Sequence, residues 1–204
     1  MPTRSAACVC LLLAFALGAC TPSAPPPPNG AKRADADRRA SLNAEGALLR
    51  LLVLIRDRPE LRDVDREVLQ QSFGVPFTSG EDSEDAEEGL RYTGALAGGW
   101  TVSIVLTRPA TEEATLELSF APESRDAPGP PPPATAICAL DFDRFATELR
   151  DMGLLHDALR DDLGRSMKDM FRRPGQRVTV LSRGENNEPP GQIVHACIRR
   201  VLVE

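Results

Sequence analysis

"GLRYTGALAGGWTVSIVLTR", residues 89–108, carries the pattern that decides the fold. Leu90, Tyr92, Gly94 and Leu96 alternate with polar or small residues, and Gly98-Gly99 marks a turn. Trp100, Val102, Ile104 and Leu106 then share one face, while Thr101, Ser103 and Thr107 share the other. A period of two is the signature of a half-buried strand, because successive side chains point to opposite faces. Two such runs across a Gly-Gly step predict an antiparallel pair. Leu116, Leu118 and Phe120, alternating with Thr115, Glu117 and Ser119, add a third strand. The result is a meander with one buried face.

Helical patterns flank this meander. Residues 41–56 contain "ALLRLLVLI", which is apolar nearly all round and predicts a buried central helix. Asp57 and Glu60 have capping-box spacing, with Pro59 in the first turn, ahead of a second helix. Its stripe is Leu61, Val64, Val68, Leu69 and Phe73, and Gly74 and Pro76 end it. Between helix and meander, residues 79–89 ("SGEDSEDAEEG") form an acidic, solvated loop. That loop lacks the alternating Asp/Asn, the central Gly and the closing Glu of a calcium-binding EF-hand.

Beyond the meander, residues 122–133 include "APGPPPP", read as a loop bridging the end of one fold rather than a domain boundary. Residues 134–140 are expected as a strand. Asp141 should cap a helix whose stripe is Phe142, Phe145, Leu149 and Met152, stopped by Gly153. Leu155, Leu159, Leu163, Met167 and Phe171 recur every four residues and predict a further helix despite Gly164. After the Pro174-Gly175 turn, residues 178–183 and 193–203 read as two closing strands joined by "GENNEPPG". The expected order is αα-βββ-β-αα-ββ. The halves echo each other loosely, without a repeat at residue level. The expected class is α+β, with helices packed on one face of an antiparallel sheet.

The N-terminal segment carries an address. Arg4 gives a positive start, and an apolar run follows of about fourteen residues, where a membrane-spanning helix needs roughly 20. That length and charge fit a secretory signal peptide, residues 1–19. The run ends Leu17-Gly18-Ala19-Cys20, which resembles the lipobox of bacterial lipoproteins at all four positions. The resemblance covers only this segment. It implies cleavage before Cys20, a diacylglycerol on the Cys20 thiol and acylation of the new amine. Several acyl chains, at about 0.8 kcal/mol per buried methylene, anchor a protein stably where one does not. Residues 20–40 are then a lipidated Cys and a tether opening with the Pro-rich "TPSAPPPPNG", extended at about 3.1 Å per residue. In that family an Asp after the Cys marks retention at the inner membrane. Thr21 stands there, so the expected location is the outer membrane, facing the periplasm. Residues 41–204 are expected as a single domain.

The chain carries a formal net charge of −6, or −7 without residues 1–19, where Arg4 is the only charge lost. An acidic chain is a poor match for the phosphates of nucleic acid, so no such partner is expected. Cys8 and Cys10 lie in the signal segment and Cys20 is the lipidation site. Cys138 and Cys197 remain, and an oxidising compartment predicts that they join.

The search for chemistry gives no catalytic residues, no metal site and no cofactor motif. His156 and His195 are the two histidines, and neither His-x-x-x-His nor Cys-x-x-Cys spacing occurs. His195 and Cys197 share a strand face, an arrangement open to a Cys–His nucleophile only if Cys197 is free. G-x-S-x-G and G-x-x-x-x-G-K are absent. Asp63/Asp65 and Asp141/Asp143 are spaced so as to point apart on a helix. Trp100 and Tyr92 can stack a sugar, although alternating strand positions favour a core role. "RSMKDMFRRPGQR" holds Arg165, Lys168, Arg172, Arg173 and Arg177, a candidate contact patch, read also as a solvated helix end. The functional expectation is a non-enzymatic envelope lipoprotein that binds another envelope protein or a cell-wall component, as an assembly accessory or an inhibitor or immunity-type protein. The alternatives are a small envelope hydrolase and a peptidoglycan- or glycan-binding module.

Overall fold

The computed structural model describes residues 42–79, 88–109, 113–124, 132–160, 166–184 and 196–204. The signal segment, Cys20, the tether, most of the acidic loop, Arg165 and His195 lie outside the described residues.

The protein is α+β, and the described residues form three α-helices and one eight-stranded antiparallel sheet. Helix α1 is Ala44–Asp57, α2 is Arg66–Phe73 and α3 is Phe142–Asp151. The strands are β1 Thr78–Ser79, β2 Glu88–Leu96, β3 Trp100–Arg108, β4 Thr115–Pro122, β5 Leu155–Arg160, β6 Ser166–Arg173, β7 Gln176–Gly184 and β8 Ala196–Val203. Their order across the sheet is β1-β2-β3-β4-β8-β7-β6-β5. Each half is thus helix followed by a four-stranded meander, and the last strands of the two meanders meet at the centre.

The meander read from residues 89–108 is present as β2 and β3, paired from Glu88↔Arg108 to Leu96↔Trp100. Gly98 and Gly99 turn between them at φ +71° and +76°, a region L-residues with a side chain avoid. The even positions Trp100 to Leu106 of β3 and Leu116 to Phe120 of β4 are buried. They join Phe171, Val178, Val180, Val201 and Val203 in one hydrophobic cluster with the buried residues of all three helices. Burying a side chain such as Leu48, Ile55 or Phe145 contributes about 1.5–3 kcal/mol relative to leaving it exposed.

Helix α1 starts where Asn43 accepts a hydrogen bond from Gly46 N at 2.7 Å. It runs through Asp57, so Asp57 does not open the second helix. Leu61–Asp63 is a 3₁₀ turn, and Asp65 is the cap of α2, accepting from Val68 N at 2.9 Å. Asp57 instead pairs with Arg56, whose hydrogen bond holds that carboxyl below the usual range. Gly74 closes α2 at φ +65°, as its position in the sequence predicts. Asp141 caps α3, accepting from Arg144 N at 2.9 Å.

Two further sequence expectations are overturned, and with them the order αα-βββ-β-αα-ββ. Residues 134–140 are not a strand: Ala134–Ile137 is a 3₁₀ helix, and only Asp141 bridges β8, at Cys197. Residues 155–171 are not a helix but contain β5 and β6, paired from Leu155↔Arg172. A repeat of four is also a repeat of two, so the leucine spacing does not separate helix from strand. A two-residue strand, β1, was not foreseen.

Cys138 and Cys197 form a disulfide across 59 residues, tying the 3₁₀ helix to β8. For a loop of that length the chain-entropy model assigns about 4 kcal/mol. Cys138→Ser with Cys197→Ser should therefore lower the unfolding free energy by about 4 kcal/mol in urea titrations. An unchanged midpoint, or two alkylatable thiols in the native protein, would contradict the pairing.

Candidate contact surface

The basic segment read as one patch is divided by the pleat of β6 and β7. Phe171 is fully buried, so its neighbours Lys168, Met170 and Arg172 emerge on the opposite side of β6. Val178 and Val180 are buried in the same way, which places Arg177, Thr179 and Leu181 on that opposite side of β7, with Thr179 itself buried beneath its neighbours. Arg172 and Arg177 are paired across the two strands. Lys168, Arg172 and Arg177 are therefore brought together on one sheet face.

Arg173 goes to the other side. Its guanidinium donates to Ile55 O at 2.8 Å, and Gln176 Nε2 reaches the same oxygen at 3.4 Å. Ile55 lies in the last turn of α1, where carbonyls lack partners within the helix. A cation there satisfies the carbonyl and complements the negative helix end. Arg173 is thus a structural cap that links the second meander to the first helix.

The outward residues are partly neutralised. Arg172 pairs with Asp157 on β5, Arg177 Nη1 lies 3.5 Å from Glu204 Oε2, and Arg200 pairs with Glu117. Across the described strands this face also carries Arg91, Thr93, Ser103, Val105, Thr115, Ser119 and Leu202 at alternate positions. It is a mixed polar and apolar surface with five cations (Arg91, Lys168, Arg172, Arg177, Arg200) against three carboxylates (Glu117, Asp157, Glu204) on a net-acidic chain.

His156 lies in β5, not near the start of a helix. Its Nε2 is 2.9 Å from Asp169 Oδ1, with the His side chain 27% exposed and the Asp 4%. The ring stacks on Phe171 at 4.4 Å between centroids, and Phe142 of α3 touches both rings. The pairing supplies a buried carboxylate with a partner and fastens the β5–β6 hairpin to α3. Cys197 is in the disulfide, so it has no free thiol for a Cys–His nucleophile.

Trp100 is buried in the core, its Nε1 donating to Pro133 O at 2.9 Å, and so offers no face to a sugar. Tyr92 is half-buried beside Phe77, and burial pushes its phenol up. A cleft of about 380 Å³ opens between Glu60, Leu61, Arg62, Glu113, Ala114, Gly175 and Glu204. It is lined by carboxylates with one guanidinium, itself paired with Glu60. Among the described residues no three His, Cys, Asp or Glu are grouped to hold a metal ion. No described helix is long and apolar enough to cross a membrane.

The division of the patch is measurable. Arg173→Ala should destabilise the domain by about 1–1.5 kcal/mol, the net value of one intramolecular hydrogen bond. Arg172→Ala and Arg177→Ala should stay within about 0.5 kcal/mol, as surface changes do. Urea unfolding of the three single variants distinguishes the roles. The chain matches no protein-family model, no curated protein and no solved structure.

Proposed function

We propose that the protein is a cell-envelope lipoprotein, anchored through Cys20, whose α+β domain acts by binding another envelope component. The observation that carries the reading is the Leu17-Gly18-Ala19-Cys20 step followed at once by a Pro-rich segment. An apolar run, two small residues, a Cys and a stiff polar spacer together meet the physical needs of an anchored, projecting domain. The described helices and one side of the sheet share a single core, which supports reading the opposite side as the partner's surface. Lys168, Arg172 and Arg177 on that opposite side favour a partner with acidic groups, an envelope protein or a cell-wall component. The expected location is the outer membrane, with the domain in the periplasm.

The reading is tested on the full chain in a bacterial host. Cys20→Ser should move the protein from the membrane to the soluble fraction and abolish incorporation of labelled fatty acid. A variant that remains membrane-bound, or a wild-type chain that takes up no label, overturns the anchor. Turnover of a cell-wall, ester or phosphate substrate, lost on a single substitution, would replace binding by catalysis.

A further inference from the structure

The two edges of the sheet differ. At one edge, β2 is covered by β1 through Thr78↔Arg91 and Ser79↔Leu90. At the other, β5 pairs only with β6 among the described strands, leaving a row of main-chain donors and acceptors on its outer side. That edge also exposes its largest apolar side chains: Leu155 is 73% exposed and Leu159 53%. Soluble proteins ordinarily blunt such an edge with charge, proline or a bulge. Here the register shift comes only between Leu159 and Arg160, so residues 155–159 form a regular stretch.

The stretch is symmetric about its middle residue. Leu155 and Leu159 each lie two residues from Asp157, and all three side chains point to the same face. We propose that β5 pairs antiparallel with β5 of a second copy of this chain, about a twofold axis through Asp157. This proposal does not depend on the lipid anchor. An axis through a residue keeps outward side chains opposite outward ones, whereas a one-residue slip sets them on opposite faces. In this register Leu155 of each copy meets Leu159 of the other, twice, and His156 meets Ala158. Asp157 meets its own counterpart, and like charges directly opposite are unfavourable. Each Asp157 is, however, already paired with its own Arg172 on β6. Arg172 stands opposite Leu155 and reaches Asp157 diagonally, so the two Asp157 and two Arg172 gathered about the axis carry no net charge. Pairing continues the sheet from one protomer into the next and covers both exposed leucines. The interface is isologous, so it closes at a dimer.

The register is tested by cysteine substitution in the full chain, in producing cells. Directly opposed residues of antiparallel strands have Cα atoms about 4.5–5.5 Å apart, within reach of a disulfide. Asp157→Cys should give a covalent dimer on a non-reducing gel under mild oxidation. Ala158→Cys, facing His156 of the other copy, should not. Sedimentation of the purified chain should show reversible dimers, weakened about tenfold or more by Leu155→Lys with Leu159→Lys, equivalent to about 1.4 kcal/mol. Both leucines are exposed, so circular dichroism should show that the double variant keeps its fold. Arg172→Ala should weaken the dimer by unmasking Asp157, and Asp157→Asn should restore it. A chain that stays monomeric up to millimolar concentration and gives no Asp157→Cys dimer overturns the proposal. So does a dimer indifferent to the leucine changes, or an edge that cross-links to another protein while the chain itself is monomeric.

Discussion

Four residue pairs make one domain out of two half-sheets. Leu116↔Val203, Glu117↔Leu202, Leu118↔Val201 and Ser119↔Arg200 join β4 to β8. The buried members Leu116, Leu118, Val201 and Val203 lie at the middle of the cluster that receives the helices. Without this seam each meander would have an additional open edge and a core too small to be comfortable alone. A strand from the middle of the described chain meets the last one here, and the entropy of closing so long a loop grows only slowly with length. Burial and main-chain pairing along both strands offset it. The disulfide at Cys197 and the bridge from Asp141 hold the same strand where it has run past β4. Arg173 and Gln176 hold α1 from the far side. Both meanders are thereby committed to one arrangement around one core.

Much of the first half was legible because its patterns have a single reading. Alternation in β3 and β4 places one set of residues inside, and no helix buries residues 100, 102, 104 and 106 together. Gly98-Gly99 and Gly74 mark sites where the backbone needs positive φ, and the structure uses each for that purpose. The start of α2 was misplaced because Asp57 and Asp65 are both competent caps. α1 has enough apolar sequence to run on through Asp57, and that burial outweighs a local capping preference. In the second half the leucine repeat fitted two periods at once. Gly164 was the available sign that the repeat was interrupted, since a glycine costs a helix interior about 1 kcal/mol relative to alanine.

That one ambiguity also hid the composition of the surface. On a helix, Arg172 and Arg173 are near neighbours on one side of the cylinder. On a strand they point to opposite faces, and one must turn toward the core. There Arg173 finds the unsatisfied carbonyl of Ile55 and becomes part of the scaffold. The Cys138–Cys197 pairing needed no such choice, because it followed from counting thiols in a chain expected to be exported. His156 gave no signal of its role: Asp169, which it meets, is distant in sequence and adjacent only because β5 and β6 form a hairpin.

The acidic partner and the second copy proposed above would use different parts of the surface. Arg172 and Arg177 emerge perpendicular to the sheet, each beside a carboxylate, so they can exchange an internal ion pair for an external one at little net cost. Such exchange suits a weak, salt-sensitive contact with an acidic partner. An open strand edge presents main-chain groups in the plane of the sheet, where only another extended chain can satisfy them. The leucines of β5 lie on the same face as Arg172 but at its margin. Pairing along the edge would bury those leucines while keeping the broad face between β2 and β7 outside the interface. In a dimer the two copies of that face would lie side by side about the twofold axis. An acidic partner with two matching segments could then engage both, gaining affinity from effective concentration rather than from stronger individual contacts.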